Sequence, residues 1–200
     1  AAFEYFSQLP EQISGKLYAT TPGYFAYSRR EPYGVVGAIA PWNFPFSIAT
    51  WKTAPALAAG NSVVIKMAEQ SPVSTNALAL ACLEGGVPPG VVNVVHGDGP
   101  TTGAALAAHP GVPKITFTGS TEVGRAILRA GAEHIKSVHL ELGGKTPNIV
   151  FADADIEQAL AGSLFTSFFN TGQICTSGSR LLVAEERAEE FIAAFTERAR

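Results

Sequence analysis

The sequence has few cysteines, few charges and no long apolar run, and each shortage excludes a class of protein. Two cysteines among 200 residues are too few for a disulfide framework, so a reducing, cytoplasmic location is expected. The 14 basic and 17 acidic residues form no long run of one sign, which argues against a nucleic-acid partner. Gly, Pro, Asn or charged residues interrupt every apolar stretch before the roughly 20 residues of a membrane span, so no membrane association is predicted.

The sequence also lacks an export signal and a metal-binding pattern. The first residues have neither the basic start nor the apolar stretch of a secretory signal. The four histidines do not have the spacing of zinc ligands, so no metal is expected. Because 46% of the residues are hydrophobic, the chain is expected to fold around a sizeable core.

Short β-branched runs alternate with helical stretches from residue 34 onward. The runs are apolar throughout, so the pattern predicts a Rossmann-like parallel α/β sheet with helices on both faces. The predicted strands are 35–40, 62–66, 91–96, 114–118, 137–140, 148–151 and 181–183. The predicted helices include 71–84, 101–108, 121–130, 155–169 and a last one from residue 187. Around Pro22-Gly23, alternating polar and aromatic residues predict a projecting β-hairpin over residues 16–30.

Two motifs could bind a cofactor. In FTGSTEVGR, Gly119 and Ser120 lead from a strand into a helix, whose first N–H groups can bind phosphate. In VVIKMAEQSP, Lys66 and Glu69 follow a strand at the edge where open α/β sheets bind ligands, and could hold ribose hydroxyls. Because Glu69 would repel a 2′-phosphate, it favours NAD over NADP. Taken alone, FTGSTEVGR is more typical of a plain helix start, and Lys66 and Glu69 are more typical of solvated loop charges.

Three motifs carry groups suited to catalysis. Asn43 lies in PWNFP, where its amide could stabilise an oxyanion or simply bind a neighbouring carbonyl. Glu141 follows an apolar strand and precedes Gly143-Gly144 in HLELGGKTP, where it could act as a general base or pair with Lys145 or an arginine. Cys175 lies among small and polar residues in GQICTSGSR, which predicts an accessible thiol, whereas Cys82 in an apolar helix is predicted to be core.

Five motifs together resemble the aldehyde dehydrogenase superfamily. PWNFP, KMAEQSP, FTGSTEVG, ELGGK and GQICT occur in that family's order and approximate spacing, across nearly the whole chain. The resemblance implies oxidation of an aldehyde to a carboxylic acid with NAD. It implies that Cys175 forms a thiohemiacetal and then a thioester, that Asn43 contributes to the oxyanion hole, and that Glu141 activates water.

The resemblance also implies further contacts and a division of the chain. The implied cofactor contacts are Trp42, Lys66, Glu69, Gly119 and Ser120, and the implied substrate contacts are Phe44, Trp51 and Phe169, which suggest an apolar or cationic aldehyde. Residues 1–13 and 33–143 resemble the NAD-binding domain, residues 14–32 the oligomerisation hairpin, and residues 144–200 the first part of the catalytic domain. A homodimer or homotetramer is expected of the full-length protein. The chain is interpreted as a fragment and is expected to be inactive alone.

Three alternatives remain open at the level of sequence. A CoA-acylating semialdehyde dehydrogenase of the same superfamily would transfer the acyl group to CoA, whereas Glu141 favours water. A non-catalytic homologue could keep the fold without the activity, although Asn43, Glu141 and Cys175 are all present. A hydrolase that uses Cys175 on esters would need no cofactor.

Overall fold

The computed structural model describes residues 1–200, whose contacts divide the chain into two units, Ala1–Glu141 and Leu142–Arg200. The strands are β1 (Leu17–Tyr18), β2 (Ala26–Tyr27), β3 (Val35–Ala40), β4 (Ser62–Met67), β5 (Val92–Val95), β6 (Lys114–Gly119), β7 (Ser137–Leu142), β8 (Pro147–Val150) and β9 (Arg180–Val183). The helices are α1 (Ala2–Ser7), α2 (Pro45–Ala58), α3 (Val73–Glu84), α4 (Ala104–Ala108), α5 (Thr121–Ala132), α6 (Ile156–Phe168) and α7 (Glu185–Arg198). None of them combines the length and the apolar composition needed to cross a membrane.

A five-stranded sheet in the order β5-β4-β3-β6-β7 forms the centre of the first unit. β3 pairs in parallel with β4 and with β6, and β4 pairs in parallel with β5. The chain adds β4 and β5 on one side of β3 and then continues with β6 and β7 on the other. The strand order therefore reverses between β3 and β6, as in doubly wound folds, and the predicted fold class is confirmed.

Helices cover both faces of this sheet. On one face, alternate residues of β3 and β4, such as Ala38 and Ile65, are buried against Ile48 of α2 and Leu78 of α3. On the other face, Gly37 leaves room for close neighbours, because a Cβ at this position would lie 2.7 Å from the Ile115 side chain and 3.4 Å from that of Leu106 in α4. The apolar runs that form β3 and β4 are thus largely buried strands, as expected for a sheet covered on both faces.

Two elements differ from the sequence prediction or extend it. The helix predicted over 101–108 is α-helical only in α4, because Gly99–Gly103 forms a wider π-helical turn in which the Asp98 carboxylate accepts from the backbone N–H of Thr101. The last helix begins at Glu185 rather than Arg187, and its acidic first turn suits the positive end of the helix dipole.

The predicted hairpin forms as β1 and β2, an antiparallel pair of two residues each. Its apolar side chains are largely exposed, among them Leu17, Tyr18, Phe25 and Tyr27. In the second unit, β8 and β9 are parallel and pack with α6 and α7 around Val150, Leu160 and Phe191. The second unit therefore has a small α/β core of its own.

Candidate active site

A cavity of about 610 Å³ lies in the first unit at the carboxyl ends of β3, β4 and β6. All five predicted cofactor contacts line it, namely Trp42, Lys66, Glu69, Gly119 and Ser120. This is the crevice where the strand order reverses, which is where open α/β sheets bind their ligands. Sequence motifs more than 70 residues apart are brought together here because parallel strands end at the same sheet edge.

Lys66 and Glu69 form an ion pair beside this cavity. Nζ of Lys66 lies 3.1 Å from Oε2 of Glu69, and the Lys66 side chain is only 3% exposed, whereas Glu69 is 52% exposed. A hydrogen bond from the backbone N–H of Glu69 itself, followed by the hydrogen bond and charge of Lys66, lowers the pKa of the Glu69 carboxyl below its ordinary value. Glu69 therefore presents a negative, hydrogen-bond-accepting carboxylate to the cavity.

The N-terminus of α5 forms another wall of the cavity. Gly119 ends β6, and Ser120 caps the helix by accepting a hydrogen bond from Val123 N–H at 3.2 Å. The N-terminal turn of this 12-residue helix can hold a phosphate group through its N–H groups and dipole. Together with the Glu69 carboxylate, these groups fit a dinucleotide with an unsubstituted ribose.

Glu141 lies near the end of β7, and its carboxylate is 63% exposed in this chain. Its Oε1 lies 3.1 Å from Nε2 of His139, which is on the same strand. The local partner of Glu141 is thus a histidine, and not Lys145 or an arginine, the partners that the sequence suggested. Sequence reasoning considered His139 only as a metal ligand, although its spacing of two residues from Glu141 on a strand puts both on one face.

Lys52 is a second group that the sequence analysis missed. It lies on α2 with 6% exposure, and its Nζ donates to Oγ1 of Thr116 at 2.9 Å. Burial lowers the pKa of Lys52 to about 8, and the charge of Glu141 offsets part of that effect. The available signal was a single lysine inside the otherwise uncharged helix PFSIATWKTAPALA. The buried amine of Lys52 therefore lies within the electrostatic influence of Glu141.

Cys175 is exposed in the second unit, and Cys82 is buried in the first, as their neighbours in the sequence predicted. The loop around Cys175 is anchored to α6, because Ser177 Oγ and Gly178 N–H both donate to the carbonyl of Thr166. Ser177 is buried while Cys175 remains accessible. Burial raises the pKa of the Cys82 thiol, which suits a core role.

The backbone around Cys175 is constrained on both sides. Asn170, Thr171 and Gly172 adopt positive φ values of 49°, 59° and 72°, which only glycine adopts without cost. A Cβ at Gly144 would lie 2.9 Å from the carbonyl oxygen of Cys175. The lack of a side chain at Gly144 thus permits a close approach by the backbone of the Cys175 loop.

The remaining predicted residues lie in different surroundings. Asn43 is half-buried between β3 and α2. Phe44 is half-buried and packs against the hydrophobic core, whereas Trp51 and Phe169 are 62% and 47% exposed. The ring of Phe169 stands 4.9 Å from that of Phe165. Their roles toward a substrate stay predictions.

The fold and the cavity define a doubly wound α/β nucleotide-binding unit, followed by a second unit with an exposed cysteine. The chain belongs to the aldehyde dehydrogenase family, because the sequence model described as "Aldehyde dehydrogenase family" matches residues 1–200.

Known proteins similar to this chain agree with that family. It is 50% identical over 199 residues to human retinal dehydrogenase 2, covering 99% of this chain and 38% of that protein. Its structure is similar to that of PnpE in complex with nicotinamide adenine dinucleotide, with a TM-score of 0.97 and 47% identity over 100% of this chain and 41% of PnpE. The NAD+ complex of aldehyde dehydrogenase from Bacillus cereus gives a TM-score of 0.96 and 44% identity, over 99% of this chain and 40% of that one. The chain thus spans about two fifths of these relatives.

Proposed function

We propose that the full-length protein is an NAD-dependent aldehyde dehydrogenase that converts an aldehyde to a carboxylic acid. The observation that carries this proposal is the cavity where the strand order reverses, because it unites Lys66, Glu69 and the α5 N-terminus. Family membership and the NAD complexes of similar proteins support it. We assign the adenosine ribose to Lys66 and Glu69, the pyrophosphate to Gly119 and Ser120, and a wall of the site to Trp42.

In the proposed reaction, the Cys175 thiolate attacks the aldehyde carbon, and the new C–S bond gives a thiohemiacetal. The side-chain amide of Asn43 and the backbone N–H of Cys175 donate hydrogen bonds to the negative oxygen. When bound, NAD supplies the hydride acceptor that oxidises the thiohemiacetal to a thioester. Glu141 takes a proton from water, whose oxygen then attacks the thioester carbon, so that the acid leaves and the Cys175 thiolate is restored.

The substrate class proposed here is an apolar or cationic aldehyde, with Phe44, Trp51 and Phe169 as its aromatic contacts. Trp51 and Phe169 are exposed, so two of the three rings are accessible to a substrate. The name of the human relative indicates retinal, a large apolar aldehyde, as that protein's substrate. A screen of aldehydes with NAD and with NADP, followed by the absorbance of the reduced cofactor, tests both substrate class and cofactor. A preference for NADP would contradict the assigned role of Glu69.

Replacing Glu141 with Gln tests the hydrolytic step. The variant should keep the first burst of NADH and stall afterwards, because the thioester forms but water is not activated. Full turnover in Glu141→Gln would refute the assignment. Addition of CoA distinguishes the CoA-acylating alternative, since CoA would then accelerate turnover in the unmodified protein. Turnover of esters without NAD would favour a hydrolase.

We further propose that residues 14–32 mediate formation of a homodimer or homotetramer. A two-stranded hairpin is marginally stable alone, and the exposed Tyr18, Phe25 and Tyr27 offer apolar surface. Light scattering of the full-length protein should report a dimer or tetramer, and Phe25→Ser with Tyr27→Ser should shift it toward monomer. We also propose a cytoplasmic location, because two cysteines are too few for a disulfide framework.

A further inference from the structure

His139 and Glu141 occupy one face of β7. Nε2 of His139 lies 3.1 Å from Oε1 of Glu141, within hydrogen-bond distance. Burial alternates along the strand, with these two residues exposed and Leu140 and Leu142 half-buried on the opposite face. Because side chains two residues apart on a strand project to the same side, the strand itself creates this pair.

We propose that His139 is a positioning residue for Glu141, holding one carboxylate oxygen so that the other is left to take a proton from water. This inference rests on the proposed role of Glu141 as general base. A glutamate side chain at an exposed position has considerable rotamer freedom, and a hydrogen bond to one oxygen reduces it. A carboxylate has acceptor capacity on both oxygens, so Oε2 can still accept from water.

A histidine partner differs from an amide partner because an imidazole ring can change its charge. A neutral imidazole donates one hydrogen bond, whereas an imidazolium adds a positive charge, and imidazoles change charge between about pH 5 and 8. A positive neighbour stabilises the charged carboxylate and makes it a poorer proton acceptor. Two lysines face this strand from other elements. The charge of Glu141 raises the pKa of Lys52 on α2, and Lys114 on β6 donates to Ser137 Oγ at the far end of β7.

The experiment follows the acyl-enzyme on Cys175 in the full-length protein. The enzyme is mixed with aldehyde and NAD, quenched at intervals, and analysed by intact mass between pH 5.5 and 9. We compare His139→Leu, which removes the hydrogen bond, with His139→Gln, which keeps a donor that does not titrate. His134→Leu is the matched control, because His134 is also an exposed histidine of the first unit and lies beyond the end of α5.

We expect His139→Leu to slow acyl-enzyme decay at pH 8 about 1.5- to 5-fold, the range typical of an exposed ionisable pair. The rate of acyl-enzyme formation should not change. His139→Gln should decay like the unmodified enzyme at pH 8 but lose less activity in acid, because one ionisation is gone. His134→Leu should match the unmodified enzyme throughout.

Two outcomes would overturn this inference without affecting the proposed function. The first is an unchanged rate of acyl-enzyme decay and an unchanged pH profile in both His139 variants. The second is an equal loss in the rates of acyl-enzyme formation and decay, together with lower stability. If His139→Leu does not fold, the pH profile of His139→Gln decides. If the unmodified enzyme forms no acyl group on Cys175, the proposed function fails and the inference fails with it. The two failures are therefore distinguishable.

Discussion

Replacing Lys52 with Met should stabilise the first unit at neutral pH. Lys52 is 6% exposed, so folding takes its amine out of water. Burial lowers the pKa of this amine from 10.5 to about 8. At about 1.4 kcal/mol per pKa unit, the folded state loses about 3 kcal/mol at pH 7 by keeping Lys52 charged. Met has a similar length and no charge. It also loses the hydrogen bond to Thr116, which is worth about 1 kcal/mol, so the net gain is about 2 kcal/mol.

The pH dependence of this gain identifies its cause. A lysine whose pKa is lowered in the folded state reduces the free energy of unfolding, and the reduction is full below about pH 8. The reduction disappears as the pH rises past 10.5, because the lysine is then neutral in the folded and the unfolded state. The advantage of Lys52→Met should therefore be full at pH 7 and much smaller at pH 9.5. Urea unfolding monitored by tryptophan fluorescence measures it, because Trp42 and Trp51 are the two tryptophans of the sequence and both lie in the first unit.

Lys114→Met is the matched control for this experiment. Lys114 also donates to a hydroxyl, Ser137 Oγ at 3.0 Å, but it is only half-buried. The Lys114→Met variant should show no gain in unfolding free energy that becomes smaller as the pH rises. A Lys52→Met protein that is less stable than the unmodified one at pH 7, or a gain of equal size at both pH values, would refute the desolvation argument.

Two glycine-related predictions concern backbone positions. Gly144→Ala should destabilise the second unit by about 1–3 kcal/mol and slow the reaction of Cys175 with a thiol reagent, because the added methyl would lie 2.9 Å from the Cys175 carbonyl oxygen. Gly143→Ala, where a Cβ meets nothing within 4 Å, should change stability by less than about 0.5 kcal/mol, and equal effects of the two would contradict the contact. Ile135→Gly should raise the unfolding free energy by about 0.5–1 kcal/mol, because Ile135 has a φ of 49° and is 94% exposed; a loss in urea midpoint would contradict this.

Strands β3 to β6 could be predicted from the sequence because each is a short run rich in apolar and β-branched residues, whereas β7 alternates exposed and half-buried residues. All strands predicted from residue 35 onward agree with the observed ones to within two residues. Such runs are buried from both faces, and few other structures accommodate them. The π-helical turn at Gly99–Gly103 was missed, because hydrogen bonds from the backbone N–H and the hydroxyl of Thr101 to the Asp98 carboxylate cap it, and periodicity does not reveal them.

The meeting of the five proposed cofactor contacts in one cavity was predictable for a different reason. Lys66 and Gly119 each follow a strand, and the topology brings strand ends together regardless of the distance in sequence. The surroundings of Glu141 were harder to foresee. Apolar neighbours in the sequence suggested an apolar setting, yet alternation along β7 puts Glu141 on the exposed face with His139. The burial of Lys52 is a tertiary property, since the composition of α2 does not indicate which of its faces meets the sheet.

These observations lead to a prediction for the pH profile of the proposed enzyme. Glu141 lies within hydrogen-bond distance of His139 on its own strand, and its charge interacts with that of Lys52 on α2. A positive neighbour opposes the protonation of a carboxylate, and Lys52 loses its charge at about pH 8. Acyl-enzyme decay should therefore keep rising as the pH passes from 7 to 9. In Lys52→Met this rise between pH 7 and 9 should be absent. The loss of activity in acid that the His139 proposal predicts should persist. A rise between pH 7 and 9 of the same size in both proteins would show that Lys52 does not act on Glu141.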